Sequence, residues 1–284
     1  MQIDFCFPVY RHLGLHTIIL VTFSILICLM KRIIPYIINK IPRPWLIRFS
    51  LVFMKFAAVF YRGNKVECPI CNGRFRKFLP YGYNRVRDNV LCPKCLSLER
   101  HRLLWLYLKN RTGIFTENLR VLHIAPEQCF YKRLRNLKNL NYTTADLESP
   151  IADVKLDIQA MPFGENEFDV VICNHVLEHV PDDRKAMREI YRVLKSGGFA
   201  LLQVPTNYSM EETYEDFTIT DPYEREKHFR QKDHYRLYGM DYLKRLGDAG
   251  FTVEIENYLF SLREEERSRF RLPVMEYMYG YYKH

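Results

Sequence analysis

The chain has 284 residues, 48% of them hydrophobic, with 12 Gly and 14 Pro, which excludes disordered and fibrous classes. Its formal charge of +9 is concentrated at one end: nine Lys or Arg and no acid lie between Phe5 and Val66, and the rest carries 33 basic against 33 acidic side chains. A chain-wide basic surface for nucleic acid is therefore excluded, and what remains is a basic, apolar N-terminus on a neutral body.

Leu13 to Met30 is an uncharged apolar run that would form a helix of about 27 Å, close to the roughly 30 Å of a hydrocarbon core. It predicts a retained membrane helix. Lys31, Arg32, Lys40 and Arg43 follow it and put the body on the cytoplasmic side. If translation starts at Met30, residues 1–29 are absent and the body is simply cytoplasmic. Pro44 to Arg62 spaces Arg48, Lys55 and Arg62 seven apart, a basic stripe suited to a helix lying on a membrane surface. Residues 1–66 are thus expected to be an anchor and a basic amphipathic segment.

Residues 67–100 are expected to form a small module. Cys68-Pro-Ile-Cys71 and Cys92-Pro-Lys-Cys95 are two C-x2-C knuckles, the ligand pattern of a zinc ribbon. Four thiolates would close the coordination sphere, so this metal would be structural. Cys6, Cys28, Cys129 and Cys173 lack such spacing.

Residues 101–284 alternate β-branched runs with helical stretches, the pattern of a parallel α/β sheet covered on both faces. Strands are predicted at Leu119–Ile124, Asn141–Ala145, Val154–Asp157, Phe168–Cys173, Phe199–Val204, Phe251–Ile255 and Met275–Lys283. A helix is predicted from Pro181-Asp182-Asp183 to about Leu194, stopped by Ser196-Gly197-Gly198, and another over Leu243–Ala249.

Phe168 to Val180, FDVVICNHVLEHV, followed by REIYRVLKSGG from Arg188 to Gly198, resembles the class I S-adenosylmethionine-dependent methyltransferases of the type 11 branch, which includes quinone-biosynthesis enzymes. The resemblance runs from about Leu119 to Lys283 and implies a Rossmann-like seven-stranded sheet. It implies further that Asp146, with Leu147 beside it, takes the ribose hydroxyls, that Asp157 and Ile158 read adenine, and that Asn174 and His175 flank the methionine part. Where that family has a glycine-rich first loop, this chain has His123-Ile124-Ala125-Pro126-Glu127. Ala125 would stand in for the first glycine, and Glu127 could meet the cofactor's amino group.

The long connection after Phe199–Val204 gathers Glu215, Asp233 and His234 as candidate general bases, and His179 is a candidate near the transferred methyl. His175 to His179 also fits H-x-x-E-H, a zinc-peptidase pattern, but it begins at a strand end and Pro181 breaks any helix, so a peptidase is not expected. The expected function is methyl transfer at the membrane to a small-molecule, lipid-linked or glycan acceptor. Two rivals stand beside it: an RNA methyltransferase, favoured by the basic stretches Arg74 to Lys77 and Arg85 to Arg87 and opposed by the neutral body, and a non-catalytic binding protein that has lost the glycine loop.

Overall fold

The computed structural model describes residues 58–82, 86–150 and 152–284. Contacts divide the chain into 1–59 and 60–284, so the cysteine module and the large sheet form one unit. The predicted membrane run and nearly all of the basic amphipathic segment lie outside the described residues. Among the described residues no helix is long and apolar enough to cross a membrane, and the membrane-anchored placement is corrected accordingly. Apolarity over 18 residues measures transfer free energy and does not by itself make a spanning helix.

In the module, β1 (Arg62–Cys68) pairs antiparallel with β2 (Gly73–Phe75), and β3 (Leu79–Tyr81) with β4 (Arg87–Leu91). Each cysteine pair sits in a turn closed by its own backbone. Asn72 N–H donates to Cys68 O at 2.8 Å and Leu96 N–H to Cys92 O at 2.9 Å, and both Asn72 and Leu96 take left-handed backbone. Helix α1 (Glu99–Arg111) follows, with Glu99 in its first turn, Lys109 and Arg111 in its last, and Arg102 to Leu108 buried.

The large sheet contains β5 (Leu119–Ile124), β6 (Leu140–Asp146), β7 (Val154–Lys155), β8 (Phe168–Cys173), β9 (Leu194–Leu201), β12 (Thr252–Glu256) and β13 (Met278–Tyr282). Their order is β12-β13-β9-β8-β5-β6-β7, parallel except that β13 runs antiparallel between β9 and β12. The sheet is therefore seven-stranded, as the resemblance implied, but mixed.

Strand alternation separates the two faces. Leu122, Ile124, Val171, Cys173, Ala200 and Leu202 pack with Ala186, Met187 and Ile190 of α3 (Asp183–Val193) and Leu246 of α5 (Tyr242–Asp248). His123, on the other face, lies 6.4 Å from the ring of Phe130 in α2 (Gln128–Arg135), which stacks at 5.8 Å on Trp105 of α1. Asp182 caps α3 by accepting from Lys185 N–H, as its position before the apolar periodicity suggests.

Most predicted boundaries moved by one to five residues, and two shifts bear on the sheet. The predicted strand at Val154–Asp157 is only two residues long, and Ser196-Gly197-Gly198 does not separate helix from strand but lies within β9. Gly198 is required there because a Cβ would sit 2.8 Å from Asp169 O on the neighbouring strand.

One buried cation ties the module to the rest. Arg102 is fully enclosed and donates to four carbonyls: Val90 O at 2.9 Å, Ser97 O at 2.8 Å, Phe270 O at 2.6 Å and Arg271 O at 2.7 Å. The first two belong to the module. The last two close α7 (Glu264–Phe270), which packs on β1. Burial pushes this guanidinium's pKa down, and the nearby negative charges of Cys68 and Glu99 oppose the fall. Removing it would take a donor from all four carbonyls, of which Ser97 O alone keeps another, the Cys92 N–H at 2.9 Å. Arg102→Ala is therefore expected to destabilise the fold by at least about 3 kcal/mol in urea unfolding, with Arg102→Lys recovering part of the loss.

Candidate active site

The parallel strands deliver their carboxyl ends to one edge, and a cavity of about 430 Å³ opens there. Ala125, Asp146, Leu147, Asp157, Ile158 and His179 line it, so six residues singled out in the sequence meet in one place. Val176, Pro181 and Tyr235 complete its wall.

Asp146 ends β6, and its Oδ1 accepts from Glu148 N–H at 2.8 Å and Ser149 N–H at 2.7 Å. This turn fixes the carboxylate while sparing the other oxygen. Asp157, two residues past β7, accepts from Gln159 N–H at 2.9 Å. Leu147 is 59% exposed beside the cavity, an apolar face suited to a flat heterocycle. The cavity thus offers two carboxylates beside apolar walls of Leu147, Leu156, Ile158 and Val176.

The first loop compensates for its lack of glycine. Ala125 has φ +50°, the left-handed region a glycine takes at no cost, and its N–H donates to Ala145 O at 2.8 Å. His123, Pro126, Glu127 and Asn174 are not on the cavity wall as implied. His123 is fully buried; its Nδ1 lies 2.7 Å from Tyr142 Oη and its Nε2 2.6 Å from Glu127 Oε2. Asn174 donates from Nδ2 to Glu127 Oε1 at 3.2 Å. Both Glu127 oxygens are therefore spent inside the protein, holding the loop from below. Burial pushes the Glu127 carboxyl up, but the His123 charge and hydrogen bond outweigh it and hold it at about 2.

His175, also left-handed at φ +54°, lines a separate polar cavity of about 240 Å³ with Arg87, Glu99, Arg100, Tyr208 and Glu276. Sequence reasoning missed these five. Arg87 and Glu99 come from the module and its following helix, and nothing in their local pattern announces that the fold brings them to a strand end. Burial pushes the Glu276 carboxyl up.

The connection after β9 splits the remaining candidates. Glu215 does not reach the cavity. It lies on the short strand β10 (Tyr214–Glu215), where Oε2 accepts from Arg236 Nε at 2.9 Å and Oε1 from Arg245 Nη2 at 3.0 Å. Its expected role as a base is corrected, because both oxygens neutralise buried arginines. Burial pushes its carboxyl up, and the bonds from Arg245 and Arg236 pull it below the ordinary range. His179, Asp233 and His234 do gather: His179 Nδ1 is 3.1 Å from Asp233 Oδ2, and the two imidazole centroids are 4.6 Å apart. Arg236 donates to Leu177 O, Val180 O and Pro181 O, which fixes the turn that carries Glu178 and His179.

In the module, Cys68 Sγ is 3.5 Å from Cys95 Sγ and Cys71 Sγ 3.7 Å from Cys92 Sγ, and all four sulfurs lie within 4.8 Å of one another. Hydrogen bonds from Cys71, Cys92 and Cys95 pull the Cys68 thiol down, and the bond to Cys68 pushes Cys92 and Cys95 up. One thiolate thus opposes the next, a conflict that a shared cation removes.

Residues 112–202 match a family described as a methyltransferase domain. A ubiquinone/menaquinone biosynthesis C-methyltransferase of Pasteurella multocida is 40% identical over 74 residues, 25% of this chain and 24% of that protein. A sterol 4-C-methyltransferase of Caenorhabditis elegans is 27% identical over 163 residues, 57% of this chain and 40% of that one. The chain thus spans well under half of either relative. A solved structure described as a putative methyltransferase of Bacillus halodurans has 19% identity and a TM-score of 0.40, over 64% of this chain and 99% of that one.

The backbone at Ala125 generates a test. Left-handed backbone costs an L-residue roughly 1–2 kcal/mol, and the greater unfolded freedom of glycine returns about 0.4–1 kcal/mol of that. Ala125→Gly should leave the protein as stable or up to about 1 kcal/mol more stable in urea unfolding, whereas Ala125→Val should destabilise it, since a β-branched residue is an outlier at this φ.

Proposed function

We propose that this chain, whose residues 112–202 are a methyltransferase domain of the class I S-adenosylmethionine-dependent type, transfers a methyl group to a small polar molecule. The observation that supports this most is the pairing of Asp146 with Asp157 over the strand ends, at a cavity lined chiefly by apolar side chains. Asp146 would hold the ribose hydroxyls, Asp157 the adenine amine, and Leu147 and Ile158 the faces of the ring. The acceptor would enter the polar cavity beside His175.

S-adenosylmethionine, when bound, supplies a methyl group on a positive sulfonium that needs no further activation. The chain's task is then positioning. A proton released by a hydroxyl or amine acceptor would pass to His175 Nε2, a buried atom with no hydrogen-bond partner in the described residues; its Nδ1 is 3.3 Å from Glu178 Oε1. Lipid-linked and glycan acceptors were suggested by membrane placement alone and lose that support.

The cysteine cluster fits structural zinc. A tetrahedral ion with Zn–S bonds of about 2.3 Å separates its sulfurs by about 3.8 Å, close to the two measured spacings. Metal analysis of reduced protein should show a zinc equivalent that Cys92→Ser loses, together with the fold of the module. An unchanged zinc content in that variant would refute the assignment.

Calorimetry with S-adenosylmethionine tests the main reading. Asp146→Ala should weaken binding by at least about tenfold, since a hydrogen bond to a charged group contributes roughly 1.5–3 kcal/mol. Glu165→Ala, exposed at the opposite end of the strands, should bind like the parent. No binding by the parent protein would favour a non-catalytic role.

A further inference from the structure

We propose that Glu178, His179 and His234 form a binding site for one divalent transition-metal ion, distinct from the cysteine cluster and lying between the two cavities. One donor atom from each lies within 4.8 Å of the others. Glu178 and His179 come from the turn after β8, and His234 from the connection between α4 (Pro222–Phe229) and β11 (Arg236–Leu237).

Two of the three residues are left with a cost the fold does not repay. Glu178 is 1% exposed and His234 3%, yet Glu178 Oε2 and His234 Nε2 have no hydrogen-bond partner among the described residues. A buried carboxylate oxygen and a buried imidazole nitrogen each forfeit their hydration, and such groups are rarely left unpaired. A cation satisfies both at once.

The other ring nitrogens are already arranged for this. His234 Nδ1 lies 3.0 Å from Phe229 O; a carbonyl only accepts, so Nδ1 holds the proton and Nε2 presents its lone pair inward. Asp233 Oδ2 makes an ion-pair contact with His179 Nδ1 at 3.1 Å, which leaves Nε2 uncommitted. Histidines that bind metals are typically oriented through the second nitrogen by a carbonyl or a carboxylate. Glu178 is held in turn through Oε1 by His175 Nδ1 at 3.3 Å.

Two imidazoles and one carboxylate form a donor set of intermediate softness, suited to zinc, cobalt(II), iron(II) or manganese(II). The arrangement differs from a peptidase H-x-x-E-H, since the first motif histidine supports the glutamate and the second nitrogen ligand comes from His234. His179 lines the larger cavity and His175 the polar one. An ion here would reach the larger cavity through His179 and could hold an oxygen of a molecule bound there. That use rests on the methyl-transfer reading, whereas binding of the ion does not.

Cobalt(II) titration of the full chain, with its cysteine site filled with zinc, tests the proposal. One further saturable equivalent is expected, with visible absorption lacking thiolate charge transfer. Glu178→Gln and His234→Ala should weaken it at least about 100-fold. Asp233→Asn, acting through His179, should weaken it about 10–100-fold while the zinc content of the cysteine site stays unchanged. Should His234→Ala fail to fold, His179→Ala, at a half-exposed position, gives the same reading. The proposal is overturned if the parent protein takes up no second equivalent, as it would if a proton shared by Glu178 and His234 satisfied both, or if the variants bind as the parent does. Cobalt binding without S-adenosylmethionine binding would leave this site standing and remove the functional reading; the reverse result would remove the site alone.

Discussion

The guanidinium of Arg236, wholly enclosed, donates to Leu177 O, Val180 O and Pro181 O and draws its countercharge from Glu215 and Asp183. Those three carbonyls belong to the turn between β8 and α3, where a chain leaving a parallel strand has no ladder partner for its backbone. With Arg236 in place the turn is rigid, and Val176, His179, Val180 and Pro181 form one wall of the larger cavity. A buried cation is expensive unless fully paired, and Arg245 shares the same two carboxylates, so the cluster stands or falls as a unit. The strand-end edge is open to ligands because this polar knot lies beside it and not in it.

Local pattern carried much of the fold. β5 and β8 were legible to the residue because short apolar runs built around Val and Ile begin just after Asn118 and Glu167, and Asp182 marked the start of α3. Placement at the cavity was legible wherever it follows from a strand end, as for Asp146 and Ala125. It was not legible where role depends on a distant partner. Glu215 reads as a free acid until Arg236 and Arg245 are seen to claim it. Glu127 reads as a charge facing the ligand until His123 and Asn174 are found beneath it. For Glu215 the partners lie 21 and 30 residues away, beyond any window of local sequence. For Glu127 the ion-pair partner is only four residues back, but nothing short of the left-handed backbone at Ala125 and the strand end carrying Asn174 shows that both oxygens turn inward.

The glycine-less loop shows how one family constraint is met by other means. A glycine loop approaches its ligand because it has no side chains. Here a single alanine accepts unfavourable backbone, and the loop's own Glu127 is held by His123 of β5, which is held in turn by Tyr142 of β6. Conformational permissiveness is replaced by a chain of hydrogen bonds.

The polar cavity draws Arg87 and Glu99 from the cysteine module and its adjoining helix, and His175, Tyr208 and Glu276 from the strand ends. Two separate stretches of chain therefore meet on the polar cavity, while the cavity of about 430 Å³ is lined only by residues from Ile124 onward. A substitution at Arg87 or Glu99 would thus redraw the first cavity and leave the carboxylates of Asp146 and Asp157 where they stand.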